Sequence, residues 1–130
     1  MAHFLPADHS KGDANTVGGY AAVHGRPAAF EGSDGYSYSV EVCADPTGER
    51  ARPWGGYLLF LRWRRMGAQG VEGHLETDFL AHGATEAEAL AAVGGLPLQA
   101  ARAALEALVV ARRPSGAPER RWWDVMRDEG

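Results

Sequence analysis

Residues 70–83, GVEGHLETDFLAHG, sort their side chains into two sets: Val71, Leu75, Thr77, Phe79 and Ala81 alternate with Glu72, His74, Glu76, Asp78 and His82. A period of two marks a strand with one face in a core and the other in water. The polar set is acidic and carries two histidines, so this segment both demands a sheet and holds most of the residues able to do chemistry.

Neighbouring segments extend the sheet. GSDG at 32–35 is turn chemistry, and in the YSYSVEVCA that follows, Tyr36, Tyr38, Val40 and Val42 alternate with Ser37, Ser39, Glu41 and Cys43. Residues 57–65, YLLFLRWRR, carry apolar side chains on both faces. Turning Leu58 and Phe60 inward would bring Arg62 and Arg64 with them, so burial of Tyr57, Leu59, Leu61 and Trp63 is expected. A hairpin closed by MGAQG then sets Arg64 opposite Glu72, Arg62 opposite His74, Phe60 opposite Glu76 and Leu58 opposite Asp78, with even-numbered residues outward on both strands. Upstream, GGYAAVHGRPAAFE at 18–31 reads as one edge strand or two short ones broken between Gly25 and Pro27, because proline cannot donate to a central ladder. DPTGERARPWGG at 45–56 has no apolar period and reads as the longest internal loop.

After His82 the period changes to that of a helix. Thr85 precedes Glu88 by the spacing of a capping box, and Gly94 and Gly95 stop the helix. A second helix follows Pro97, with Leu98, Ala101, Leu105, Leu108 and Val109 on one side and a narrow polar stripe of Gln99, Arg102, Glu106 and Arg113. The fold class is therefore α+β: an antiparallel three- to four-stranded meander with two C-terminal helices packed on one face, plus a short aromatic C-terminal segment. Residues 1–16 read as a flexible lead-in, 17–112 as a single domain, and 113–130 as a breaker-rich linker and aromatic segment.

The stretch HGATEAEALAAV, within residues 80–93, is similar to the strand-to-helix stretch of HicB-type antitoxins, where a glycine turn, a threonine cap and Glu-Ala-Leu lead into a helix. The resemblance implies a capped helix at that point. The four-strand meander ahead of it and the helix behind depart from that family's layout, and no function is carried over from it.

Composition excludes several function classes. A net charge of −4 opposes general polyanion binding, which needs many cationic contacts to displace counterions. Cys43 is the sole cysteine, which rules out an internal disulfide and a cysteine-rich zinc site. The first residues have neither a basic start nor an apolar run of signal-peptide type, so a cytoplasmic protein is expected. No Gly-X-Ser-X-Gly elbow, P-loop or Gly-X-Gly-X-X-Gly string is present. The arginine and tryptophan runs at 62–65 and 120–123 resemble stacking platforms for single-stranded nucleic acid, but alternation separates Trp63 from Arg62 and Arg64, and the sheet face's carboxylates repel phosphate.

His74, Glu76, Asp78 and His82 are the candidate metal ligands, since imidazole and carboxylate suit zinc, manganese or iron. Same-face neighbours on a strand lie roughly 6.5–7 Å apart, so only two adjacent ones can share an ion. Glu76 and Asp78 also have a spacing suited to paired acid and base work, which further needs a concave, water-poor site. No catalytic residue and no cofactor is assigned. The aromatic tail is different: Trp122, Trp123, Val125 and Met126 present an apolar area that something must cover, whether the chain's own domain, a second copy of the chain, or another protein. The reading is a non-catalytic protein-interaction or assembly module contacting itself or an unidentified protein. The alternative is a small-ligand or metal-dependent site on the face bearing Glu72, His74, Glu76, Asp78 and His82, roofed by the 45–56 loop.

Overall fold

The alternation in residues 37–46 builds the strand on which everything else is ordered. In the computed structural model, which describes residues 9–63 and 70–112, strand β2 (Ser37–Pro46) buries Tyr38 and Val40 and exposes Ser37 and Glu41. It pairs antiparallel along its whole length with β3 (Trp54–Trp63), setting Val40 opposite Phe60 and Val42 opposite Leu58. On its other side it pairs with β1 (Ala29–Glu31), through a turn in which the Gly35 N–H donates to the Gly32 carbonyl at 2.9 Å and Gly35 takes a φ of 87°. The segment expected to be a twelve-residue loop is shorter, because both strands run into it and leave only residues 47–53 between them.

The free side of β3 takes two strands, β4 (Val71–Glu76) and β5 (Ala81–Gly83), giving the order β1-β2-β3-β4 with β5 also paired to β3. The alternating stretch that reads as one strand is thus interrupted at residues 77–80. Backbone and side chain hold the interruption against β3: Leu58 N–H donates to Thr77 Oγ1 at 3.1 Å, and Leu80 N–H donates to the Gly56 carbonyl at 2.7 Å.

The register of β3 with β4 differs from the expected one by a single residue. Leu59 lies opposite Glu76, Phe60 opposite Leu75, Leu61 opposite His74 and Arg62 opposite Gly73, with a bulge before Trp63 meets Val71. A one-residue slip exchanges the faces of a strand. Leu58 and Phe60 are therefore fully buried, while Tyr57, Leu59 and Leu61 are half-buried on the far face, the reverse of the expectation. On β4 the expected direction holds for Leu75, which is buried, and His74 is on the outer face.

The cost that argued against this arrangement is visible at Arg62. Its guanidinium lies 4.6 Å from the centroid of the Tyr36 ring, and its Nε is buried without a hydrogen-bond partner among the described residues. The neighbouring Tyr38 hydroxyl donates to Asp34 at 2.6 Å, and burial together with that carboxylate pushes its pKa up to about 12. One unmade hydrogen bond costs about 1–3 kcal/mol, and either face of β3 offers apolar side chains worth about 1.5–3 kcal/mol each, so burial alone does not choose between them. In the observed pairing Phe60 and Leu58 join Val40 and Val42 on one side, and Gly56, which has no side chain, is the residue that meets α2.

Three helices cover that side. Residues 18–24, expected as part of one edge strand or two short ones, belong instead to α1 (Val17–His24): Thr16 Oγ1 accepts from Gly19 N–H at 3.0 Å, and Gly25 at φ 69° ends it. β1 is what remains of the expected strand. α2 (Glu86–Gly94) starts as the capping pattern requires, Thr85 Oγ1 accepting from Glu88 N–H at 3.1 Å, while Glu88 reaches back to Ala84 N–H at 2.9 Å rather than to the cap itself. α3 (Leu98–Arg112) buries Ala101, Leu105 and Val109 as its spacing predicts. Val17, Val93, Leu105 and Val109 close the core over Val40, Leu58, Phe60 and Leu75. The two C-terminal helices and the antiparallel meander are thus the α+β architecture read from sequence, with α1 added.

Gly56 sets how closely α2 approaches. A Cβ at that position would lie 2.4 Å from a Val93 methyl carbon and 2.7 Å from the Ala89 carbonyl oxygen. The second contact is backbone, which cannot swing away. Gly56→Ala is expected to destabilise the domain by about 2 kcal/mol through overpacking, lowering the melting temperature by roughly 8–16 °C. A thermal melt within a degree or two of the native chain would show that α2 is not seated on β3 in this way.

Candidate functional site

With all described helices on one side of the sheet, no described element covers the other. That outer face is built on β3, whose odd residues Tyr57, Leu59, Leu61 and Trp63 form a stripe down its middle. Across the ladder, β2 sets Ser39 opposite Leu61, Glu41 opposite Leu59 and Cys43 opposite Tyr57. β4 sets His74 opposite Leu61 and Glu76 opposite Leu59 on the other flank. The result is an apolar stripe between two polar margins.

Each end of the stripe has its own construction. At one end Trp63 is 39% exposed and Val71 43%, and the indole Nε1–H donates to Ser39 Oγ at 3.0 Å, which fixes the ring over the β2 margin. At the other, Gly55 faces outward, and the Phe79 ring occupies the space its missing side chain would fill, 2.5 Å from an ideal Cβ. Phe79 then stands 6.1 Å from the Tyr57 ring and 5.8 Å, edge-on, from His82. Phe79, expected inside, is 40% exposed on the outer face because the interruption at 77–80 takes it out of the alternation.

That interruption makes a cleft. Asp45, Pro46, Tyr57, Glu76, Thr77, Asp78 and Phe79 surround a cavity of about 390 Å³ open to solvent. Tyr57 and Phe79 give it aromatic lining, and three carboxylate residues, Asp45, Glu76 and Asp78, line it as well. Alternation alone puts Glu76 and Asp78 on a flat outward sheet face with no pocket around it. The structure corrects this: the pocket exists, although it is an open cleft rather than a water-free chamber. Asp45, Tyr57 and Phe79 were not candidates, and the signal that could have found them is Thr77, whose side chain can replace a ladder bond and so break a strand.

The other candidates are placed as follows. His74 Nε2 approaches Glu76 Oε2 at 3.8 Å, while Asp78 lies in the interruption and His82 on β5, opposite Gly55. The β3 partners of His74 and His82, Leu61 and Gly55, are six residue steps apart, roughly 20 Å along the strand, so the two imidazoles cannot share an ion. Among the described residues, no group of three or more His, Cys, Asp or Glu side chains is arranged to hold a metal. Glu72 sits at the bulge, exposed. Trp63 and Arg62 do fall on opposite faces, in the opposite sense to that expected. Trp122, Trp123, Val125 and Met126 lie outside the described residues. No described helix is long and apolar enough to cross a membrane.

Titration behaviour on the stripe reflects burial first and its acidic surroundings second. Burial raises the pKa of the Tyr57 hydroxyl, and Cys43, Asp45 and Glu76 add to the shift. Burial likewise raises that of the Cys43 thiol, aided by Glu41, Asp45 and Glu76 and opposed by the Tyr57 hydroxyl. A thiol held in its protonated form is a poor nucleophile, which fits a packing role for Cys43. No protein-family model matches this chain, and comparisons with curated proteins and with solved structures returned no match.

Because the folded-state thiol pKa lies above the unfolded value, the unfolded chain ionises first, and this group's linkage lowers stability as pH rises past the ordinary thiol range. Alkylation of Cys43 by iodoacetamide, followed against pH, should therefore show its midpoint at higher pH in the native chain than in urea. Equal midpoints would place Cys43 in an environment unlike the one described.

Proposed function

We propose that this chain is a non-catalytic interaction module whose contact surface is the outer face of the sheet. The observation that carries this reading is the central strand itself: β3 is apolar on both sides, and the side opposite the helices displays Tyr57, Leu59, Leu61 and Trp63 with no described element over them. An aromatic and aliphatic stripe inside a polar margin has the anatomy of an interface core and rim. The margin selects the partner, because Glu41, Asp45, Glu76 and Asp78 border the stripe and the cleft. The complementary ligand is a segment presenting arginine beside aromatic side chains, its guanidinium against the carboxylates and its rings on Leu59 and Leu61.

The cleft favours a second reading, a small-ligand site for an organic cation held by Tyr57, Phe79 and the three carboxylates. Arginine amide tests it as the smallest probe. Amide shifts confined to Tyr57 and residues 76–79 support it, and none at millimolar concentration removes it.

The interaction reading is tested by titrating the isotope-labelled chain, native and with Trp122 and Trp123 replaced by alanine, with two synthetic peptides carrying Arg-Arg-Trp-Trp or Glu-Glu-Trp-Trp. The arginine peptide is expected to shift the amides of Glu41, Tyr57, Leu59, Leu61 and Glu76 and to bind about tenfold more tightly than its acidic counterpart, about 1.4 kcal/mol. Absence of outer-face shifts with either peptide in both forms of the chain would dispose of this function.

A further inference from the structure

We infer that the occupant of the outer face is the chain's own C-terminal segment, docked in cis with Trp122 and Trp123 on the β3 stripe and Arg120 and Arg121 against its acidic margin. This rests on the outer face being a contact surface, and it adds the identity of what normally covers it. The segment has the chemistry the face selects: two adjacent arginines run directly into two adjacent tryptophans, with Val125 and Met126 just beyond. Asp124, Asp128 and Glu129 come after that run, so the complementarity lies in residues 120–123.

The fold delivers the segment to the correct place. α3 starts beside Asn15, whose carbonyl accepts from Leu98 N–H at 2.8 Å, and Arg102 lies 5.2 Å from the Phe30 ring on β1. Further along, Glu106 accepts hydrogen bonds from the Ser33 hydroxyl and N–H in the turn before β2, and α3 also touches β4. Its last turn is thus carried to the end of the sheet where β3 finishes in Trp63 and β4 begins at Val71, since only about 9 Å of helix separates Glu106 from Arg112. β4 is a sheet edge with no further strand beyond it among the described residues. Nine residues, 113–121, connect Arg112 to Trp122. Extended, they reach about 30 Å, ample to round that edge from the helix side to the outer side of one sheet.

Two terms favour cis over trans occupancy. A tether this short gives an effective concentration on the order of millimolar, above that of free protein. Two outer faces brought together would also set like carboxylate margins against each other, so a symmetric face-to-face dimer is disfavoured. The docked tail then acts as a competitor for any Arg and Trp partner of the same face.

A nitroxide on Arg127→Cys, in a Cys43→Ser background, tests the placement by paramagnetic broadening of amide signals in the full chain. Residues of β2, β3 and β4 on the outer face are expected to lose most of their intensity while α2 keeps its own, with no loss in a mixture of spin-labelled unenriched chain and unlabelled nitrogen-15 chain. Broadening in the mixture would assign the face to a second copy and overturn the cis placement. No broadening in either sample, with the core signals unchanged, would overturn the tail as occupant. Replacing Trp122 and Trp123 by alanine should tighten binding of the Arg-Arg-Trp-Trp peptide about tenfold by removing the competitor. If the peptide binds both forms equally, the tail is not the occupant although the contact surface stands. If it binds neither, the contact surface itself fails.

Discussion

The ladder between β2 and β3 is the constraint from which the rest of this structure follows. Ten residues pair without interruption, and because Val40 meets Phe60 and Val42 meets Leu58, the inward set of β2 dictates the inward set of β3. β3 then imposes the same choice on β4, where Phe60 meets Leu75. A one-residue register change on β3 would turn Leu58 and Phe60 out, bring Leu59 and Leu61 in against Val40, Val42 and Leu75, and put Tyr57 in place of Gly56 beneath α2. The whole sheet is committed by one strand pair, and an unpartnered Arg62 Nε is tolerated because no local adjustment can relieve it without unmaking that pair.

This explains which parts of the fold were legible in the sequence. β2 separates tyrosine and valine from serine and glutamate, so strand and face are both readable; Thr85 with Glu88, and the Ala101, Leu105, Val109 spacing, likewise state local chemistry that the structure keeps. β3 is apolar on both faces, and its period of two carries no information about which side is inside. The arginines then seemed to decide, but Arg62 lies at the end of the strand, where Tyr36 supplies a ring beneath its cation. α1 was illegible for another reason. GGYAAVH opens with two glycines and does not separate apolar from polar positions at helical spacing, and its helix is secured by contacts distant in sequence, among them Val17 N–H to the Leu96 carbonyl at 2.9 Å. The cleft was hidden because Thr77 and Phe79 fit the alternation of residues 70–83 in letters while leaving it in space.

A strand apolar on both faces, with helices on one side only, leaves a surface that water does not satisfy. Proteins ordinarily close such a face with a second layer, giving a sandwich of helix, sheet and helix or of two sheets. Here the described chain supplies no second layer, and it fringes the apolar stripe with Glu41, Glu76, Asp45 and Asp78. These carboxylates do two things at once. A carboxylate fringe opposes the approach of a like face, and under the reading proposed above it would favour cationic over anionic ligands, a bias that hydrophobicity alone does not confer.

The same margin bounds how tightly the face can hold anything. Glu41, Asp45 and Asp78 are exposed, and screened exposed ion pairs contribute about 0–1 kcal/mol each, so the charges choose the ligand without supplying most of its affinity. The larger share must come from rings laid on Leu59, Leu61 and Tyr57, whose half-burial leaves only part of their apolar area to gain at about 25 cal/mol per Å². Under the reading proposed above, occupancy of such a face would depend on the effective concentration at which a covering segment is presented to it as much as on the contacts themselves.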